Sequence, residues 1–443
     1  MAENPSYVTD MARRARQAAL RLATLPDTIR QEALRVAADC LQQHASDIFA
    51  ANTRDCAAAS LLVEQKQMSP AIFKRLQIGE AGVAQMASHA CGVANLPDPL
   101  GQELSVTALD DDLILHKVSC PLGVVAVIFE ARPEVIPQLA ALALRSGNAL
   151  LLKGGSEAEH TNIALMAIWR DALARFPEIP ADAVNLLHTR EDVRQLLSLD
   201  SLVDLIVPRG SQAFVHYIAE HSRIPVLGHG EGVCHVYVDR AADLKKALGI
   251  TFDSKVQYPA VCNAAETLLV HQEIAAVFLP EMFSQFKTAG VEMRACPRTI
   301  ALGSGYGLIP ATEADWQTEY SDLIISIKIV TGLDAAIEHI NRWGSKHTES
   351  IVTEDPRAAA EFMERVDAAG VYHNASTRFA DGFRYGFGAE LGISTGKQHP
   401  RGPVGVDGLT TYKYKLIGNG HTVASYISGE RKFKHKRIAG GTG

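Results

Sequence analysis

The side chain in this sequence best suited to making and breaking a covalent bond is the thiol of Cys262. It stands in Ser254-Lys255-Val256-Gln257-Tyr258-Pro259-Ala260-Val261-Cys262-Asn263-Ala264-Ala265-Glu266-Thr267. A thiolate is a strong nucleophile and a good leaving group, which suits acyl transfer. The Tyr258-Pro259 break before it and the strand-forming run Thr267 to Val270 after it predict a loop between two elements. A side chain on such a loop can meet a substrate. The same residue type is often a small, inert, buried hydrophobe, so its surroundings have to decide.

Few other groups offer competing chemistry. His229, His235, His339 and His347 show no HExxH or similar ligand spacing, so they read as hydrogen-bonding or structural residues and no metal is expected. No GxGxxG follows the first strand of the parallel unit, and Gly386-Phe387-Gly388 with Gly392 lacks both the spacing and the context. Gly210-Ser211 opens a helix after Pro208. The N–H groups at a helix start suit a pyrophosphate, although the pair could equally be a turn and an N-cap. Glu231 lies between Gly230 and Gly232, a combination that suggests a tight turn.

The elements that must position these groups are legible as pattern. Ile29, Ala33, Val36 and Cys40 recur at helical spacing, with Asp27 as N-cap, and Ser69-Pro70 reads as another helix start. Two alternating runs between Leu104 and Val118 flank Asp110-Asp111-Asp112 and predict a hairpin. From Gly123 the pattern becomes strand-helix-strand. Strands are expected at Val124 to Phe129, Ala149 to Leu152, Val184 to Leu187, Leu202 to Val207 and Ile224 to Leu227, with helices at Pro137 to Arg145 and through Trp169. Such alternation implies a doubly wound parallel sheet with its ligands at the strand C-terminal ends. A second alternating unit from His235 to about Thr395 holds Cys262, and Thr410 to Lys415 reads as a late strand. The stretch from Glu430, with Arg431, Lys432, Lys434, Lys436 and Arg437, reads as a solvated, disordered basic tail, with an anion-binding or partner-binding tail as the alternative.

With 443 residues the chain is too long for one simple core. A hydrophobic fraction of 47% and a charged fraction of 21% are ordinary for a soluble globular protein. The net charge of -7 argues against a nucleic-acid binder. No apolar run spans a bilayer and the N-terminus is not a secretory signal, so no membrane partner is expected. Seven scattered cysteines without CxxC pairs fit free thiols in a reducing cytoplasm.

The segment Ser254 to His271 closely resembles the active-site segment of the gamma-glutamyl phosphate reductases, the glutamate-5-semialdehyde dehydrogenases of the aldehyde dehydrogenase superfamily. Other pieces resemble that family in the same order. They include Phe129-Glu130-Ala131-Arg132-Pro133-Glu134, Lys153-Gly154-Gly155-Ser156-Glu157, Pro208-Arg209-Gly210-Ser211, His347-Thr348-Glu349, Asn374-Ala375-Ser376-Thr377-Arg378 and Gly386-Phe387-Gly388-Ala389-Glu390. The likeness runs to about Gly420.

This resemblance implies an α/β, aldehyde dehydrogenase-like fold with two Rossmann-like parallel-sheet domains and a β-hairpin oligomerisation element. Residues 1–103 and 120–230 would form the cofactor-binding domain, 104–119 and 408–420 the oligomerisation element, 231–407 the catalytic domain, and 421–443 the basic tail. It implies NADPH-dependent reduction of L-glutamyl 5-phosphate to L-glutamate 5-semialdehyde in proline biosynthesis, through a thioester on Cys262. The superfamily binds NADPH/NADP without the usual glycine fingerprint. Lys153 matches its adenine-ribose position, Gly210 and Ser211 its pyrophosphate, and Glu319 its nicotinamide ribose. Arg132 and Asn263 are assigned to the substrate. Hydrolytic relatives carry an asparagine near Arg132, whereas an arginine fork suits a carboxylate or phosphate. An ion pair of Arg132 with Glu130 or Glu134 is the structural alternative. Glu231 falls where hydrolytic relatives activate water, a role a reductase does not want. The implied partners are a second copy of the chain and, transiently, glutamate 5-kinase. The rival readings are a hydrolytic aldehyde dehydrogenase and a catalytically silent assembly scaffold.

Overall fold

A computed structural model describes residues 6–210, 212–228 and 231–439. Five helices come first: Tyr7–Leu22, Asp27–Gln43, Ala45–Glu64, Pro70–Leu76 and Glu80–Ala94. Ser69 caps the fourth by accepting the Ile72 N–H at 3.3 Å, with Pro70 in the first turn. Pro26, not Asp27, holds the N-cap position of the second. The Asp27 carboxylate instead accepts from Gln31 Nε2 at 2.7 Å and pairs with Arg145.

The hairpin β1 (Glu103–Asp110) and β2 (Leu113–Pro121) closes around Asp111 and Asp112. Strands β3 (Val124–Phe129), β4 (Ala149–Lys153), β5 (Val184–Leu187) and β6 (Leu205–Arg209) then form a parallel sheet in the order β5-β4-β3-β6. All residues of β3, β4 and β5 are buried, as a sheet covered on both faces requires. Ile224 to Leu227 is not the expected strand. It contributes one bridge, Ile206 to Val226. Pro225 lacks the N–H that a longer ladder would need.

The second sheet contains β7 (Cys234–Val238), β8 (Ala265–His271), β9 (Glu292–Ala295), β10 (Ile309–Pro310), β11 (Ile324–Val330), β12 (Thr348–Val352) and β13 (Gly370–His373). Its order is β10-β9-β11-β8-β7-β12-β13, parallel throughout. After the short ribbon of β14 (Ile393–Ser394) and β15 (Gly402–Pro403), β16 (Thr410–Ile417) pairs antiparallel with β2. Ala389, Leu391, Val404 and Val406 pack into the core of the first sheet, so the chain returns there before residue 407.

The basic tail differs most from expectation. Through residue 439 it is docked, with β17 (Lys436–Ala439) pairing antiparallel with β1. Asp110, 6% exposed, draws it in by accepting from Tyr426 Oη at 3.0 Å and pairing with Arg431 and Lys434 at 3.5 Å each. Phe433 stacks on Tyr426 with ring centroids 4.2 Å apart. Charge composition suggested solvation, but a buried carboxylate in the hairpin turn supplies the missing partner. Among the described residues no helix is long and apolar enough to cross a membrane, and no three His, Cys, Asp or Glu side chains group to hold a metal.

Candidate active site

Three segments that each lead into a strand of the second sheet meet at the thiol. Gly232 precedes β7, Cys262 precedes β8 and His347 precedes β12. The nucleophile therefore sits at the N-terminal edge of its own sheet. The first sheet follows the usual rule: Glu130, Ala131 and Arg132 follow β3, and Arg209 ends β6. The strand order reverses between these two neighbours, where open α/β sheets bind ligands.

The Cys262 loop is held from several sides. A Cβ on Gly232 would lie 2.0 Å from the Cys262 carbonyl oxygen, so only glycine permits this approach. Cys234 Sγ donates to that same oxygen at 3.3 Å. Arg75 Nη2 donates to Ala260 O at 3.4 Å. Asn263 Nδ2 donates to Ala380 O at 2.7 Å, and the residue is 4% exposed. Its amide nitrogen thus serves the loop, while among the described residues no partner reaches its buried Oδ1. Beneath the loop, Lys255 Nζ donates to Glu266 Oε2 at 2.6 Å.

Cys262 Sγ lies 3.2 Å from His347 Nε2, and His347 Nδ1 lies 2.9 Å from Thr348 Oγ1. Both members lie in segments that resemble the family, but nothing in their spacing pairs them, because 85 residues separate them. The imidazole is fully buried.

Arginines surround the thiol. Burial and neighbouring Arg132 hold the Arg209 guanidinium below its ordinary pKa, while Glu390, Cys262 and Glu134 act in the other direction. Burial also lowers Arg378, helped by Arg384 and opposed by Cys262. Arg378 Nε donates to Gln257 Oε1 at 2.9 Å. Burial raises the Glu134 carboxyl above its usual range against the pull of Arg132, Arg209 and Arg75. Among the described residues, no partner reaches the buried Arg209 Nη1 or Glu134 Oε2. No ion pair ties Arg132 to Glu130 or Glu134. An orphaned buried guanidinium nitrogen calls for an anion. Arg209 and Arg378 are site residues that the sequence motifs contain but that sequence reasoning did not single out.

A second group lies at the C-terminal edge of the first sheet. Lys153 ends β4, 9% exposed, its pKa lowered by burial and by Arg190 against the opposing effects of Glu157, Glu130 and Asp192. Glu157 Oε1 accepts the Ala131 N–H at 2.6 Å, which braces the turn carrying Arg132. Gly210 is exposed, and a Cβ there would lie 2.6 Å from Glu130 Oε2. Ser211 lies outside the described residues. Glu319 Oε2 accepts the Gly232 N–H at 3.0 Å, so one of its oxygens holds the turn beside the nucleophile. Glu231 is half-buried beside that glycine.

The chain matches the aldehyde dehydrogenase family over residues 2–303. Gamma-glutamyl phosphate reductase 1 of Synechocystis sp. is 53% identical to it across 97% of this chain and 98% of that relative. The crystal structure of gamma-glutamyl phosphate reductase from Thermotoga maritima superposes with a TM-score of 0.89 at 38% identity, covering 94% of this chain and 100% of that one. The chain belongs to the gamma-glutamyl phosphate reductases of the aldehyde dehydrogenase family. The aldehyde dehydrogenase fold extends to remote structures. Glyceraldehyde-3-phosphate dehydrogenase GapN from Methanocaldococcus jannaschii, complexed with NADP, shares it with a TM-score of 0.66 at 17% identity. For a gamma-glutamyl phosphate reductase, the α/β architecture with parallel sheets expected from the sequence stands.

Proposed function

We infer that the chain reduces L-glutamyl 5-phosphate to L-glutamate 5-semialdehyde and phosphate in proline biosynthesis, with Cys262 as nucleophile. The observation that carries this reading is the buried arginine cluster at the thiol, with Arg209 Nη1 unpaired among the described residues. The substrate brings a phosphate and a carboxylate, and guanidinium forks match both. An aldehyde without an anionic group would leave the buried Arg209 Nη1 without a partner. That disfavours the hydrolytic alternative.

The thiolate of Cys262 attacks the acyl carbon. A C–S bond forms, the C–O bond to phosphate breaks, and a thioester results. When bound, the dinucleotide supplies a hydride to the thioester carbon. The C–S bond then breaks to give the aldehyde and return the thiolate. Covalent catalysis divides one displacement into two easier steps.

The residues at the end of the first sheet fit an NADP-type dinucleotide. Lys153 and Arg190 are two cations for a 2′-phosphate, and Glu130 and Glu157 are acceptors for ribose hydroxyls. Glu319 holds the catalytic turn by accepting the Gly232 N–H, and its nicotinamide-ribose role rests on the family resemblance. The chain is read as a cytoplasmic homo-oligomer that receives its acyl phosphate through transient contact with glutamate 5-kinase. Its seven free cysteines support a reducing compartment. The exposed Tyr412, Tyr414, Leu416 and Ile417 of β16 support association through the antiparallel sheet.

The reverse assay tests the reaction. L-Glutamate 5-semialdehyde and NADP should yield NADPH only when phosphate is present. Phosphate-independent formation of NADPH and glutamate would indicate a hydrolytic enzyme. No turnover in either direction would indicate a silent scaffold.

A further inference from the structure

We propose that His347 is the catalytic proton acceptor and donor for Cys262, fixed in that role by Thr348. The inference rests on the reading of Cys262 as nucleophile. Among the described residues, His347 is the hydrogen-bond partner of Cys262 Sγ, with Nε2 at 3.2 Å. A thiol at this distance can pass its proton directly to the imidazole. For Nε2 to accept it, Nδ1 must carry the hydrogen and donate to Thr348 Oγ1 at 2.9 Å. That hydroxyl belongs to the first residue of β12, which the β13 ladder holds in register through Thr348 and Gly370. The ring is buried and cannot swing into solvent to exchange roles.

Cys234, on β7, lies with Sγ 3.7 Å from Nδ1. Burial and the charge of Glu349 push its thiol well above the ordinary value, so it stays protonated. Glu349, on β12, accepts from His235 N at 2.7 Å and lies 2.9 Å from His235 Nδ1. Arg209 and Arg378 carry positive charge near the thiol, but a guanidinium is already protonated and cannot take the proton.

The proton balance closes. The Cys262 S–H bond breaks and its proton moves to Nε2, giving a thiolate and an imidazolium. As the C–S bond forms and phosphate leaves, the imidazolium gives that proton to the departing phosphate oxygen. The imidazole is then neutral beside the thioester. When the C–S bond later breaks, the thiolate takes a proton from solvent by way of His347. One proton is consumed per turnover, as reduction of an acyl phosphate to an aldehyde and hydrogen phosphate requires.

The test uses the full chain with His347→Gln and, separately, Thr348→Val. Alkylation of Cys262 by iodoacetamide is followed by peptide mass spectrometry, and turnover by the phosphate-dependent reverse assay. Folding is checked by thermal melting. In His347→Gln, alkylation at pH 7 should fall at least about ten-fold and recover at pH 9.5, where hydroxide replaces the base. Its kcat should fall about 100-fold with the KM for NADP unchanged, the usual range for a lost acid-base group. Thr348→Val should show the same signature in weaker form, and it decides the matter if the histidine variant does not fold. A folded variant whose Cys262 alkylates at the parent rate, with kcat retained, overturns the proposal. Turnover by Cys262→Ser would instead overturn the nucleophile assignment on which it rests.

Discussion

The ammonium of Lys255 and the carboxylate of Glu266 meet at 2.6 Å, and neither side chain has any exposure. Lys255 lies in the last turn of the helix Leu244–Val256, and Glu266 is the second residue of β8. The pair therefore clamps the two ends of the loop that carries Cys262. Burial pushes the Glu266 carboxyl up to about 8 and the Lys255 ammonium down, each opposed by the other. Lys255→Met should destabilise the fold by about 3–5 kcal/mol where Glu266 is ionised, because it then leaves a buried carboxylate without its cation. The pH dependence has a definite sign. A carboxyl with its pKa raised in the folded state gives stability at low pH that is lost as pH rises through the folded value. The melting temperature of Lys255→Met should thus fall more steeply between pH 6 and 9 than that of the parent. Adding Glu266→Gln should remove the slope and recover much of the loss.

Arg132→Ala should lower kcat/KM for the acyl phosphate by about 10- to 100-fold, corresponding to a charge-assisted hydrogen bond worth about 1.5–3 kcal/mol. The KM for NADPH should hardly change. Arg132→Lys should recover only part, because a point charge cannot reproduce the guanidinium fork. Steady-state kinetics with each substrate varied checks this. Parent kinetics combined with a lower melting temperature would give Arg132 a structural role.

Lys153→Ala should act the other way, raising the KM for NADPH more than that for the acyl substrate. Lys153 ends β4 beside Arg190 and Glu157. The rise should be smaller with NADH, which lacks the 2′-phosphate. Equal effects on both dinucleotides would limit Lys153 to the ribose hydroxyls.

The docked tail depends on Asp110. The Asp111 backbone N–H leads in lowering its pKa, with Tyr426 and Lys434 adding to the effect. Asp110→Ala should release β17 from β1, seen as faster amide exchange in residues 436–439 and in 106–108. Catalytic constants should stay near parent values, since the tail lies on the antiparallel sheet. Acid should mimic the substitution. A carboxylate with a depressed folded pKa gives stability above its unfolded value that is lost as pH falls.

The sequence made the strands legible where both sheet faces are covered, because a continuous apolar run such as Val124 to Phe129 has few other uses. It misplaced Ile224 to Leu227, since hydropathy does not register the missing N–H of Pro225. It misread the tail, whose charges solvate only if no buried partner exists, and Asp110 is one. Cys262 was visible through its motif. His347 was not, because the contact depends on β7, β8 and β12 lying together in the sheet. Arg209 and Arg378 were missed for the same reason: each gains its meaning from burial beside the thiol, which spacing along the chain does not reveal.

The central claim is that the reacting acyl group becomes bonded to Cys262. The most direct measurement is acid quenching of the enzyme with L-glutamate 5-semialdehyde and NADP, without phosphate, followed by peptide mass spectrometry. The account predicts a glutamyl thioester on the peptide containing Cys262. It should be discharged on adding phosphate and be absent in Cys262→Ser. Steady turnover with no adduct, or with the adduct on another cysteine, would contradict it.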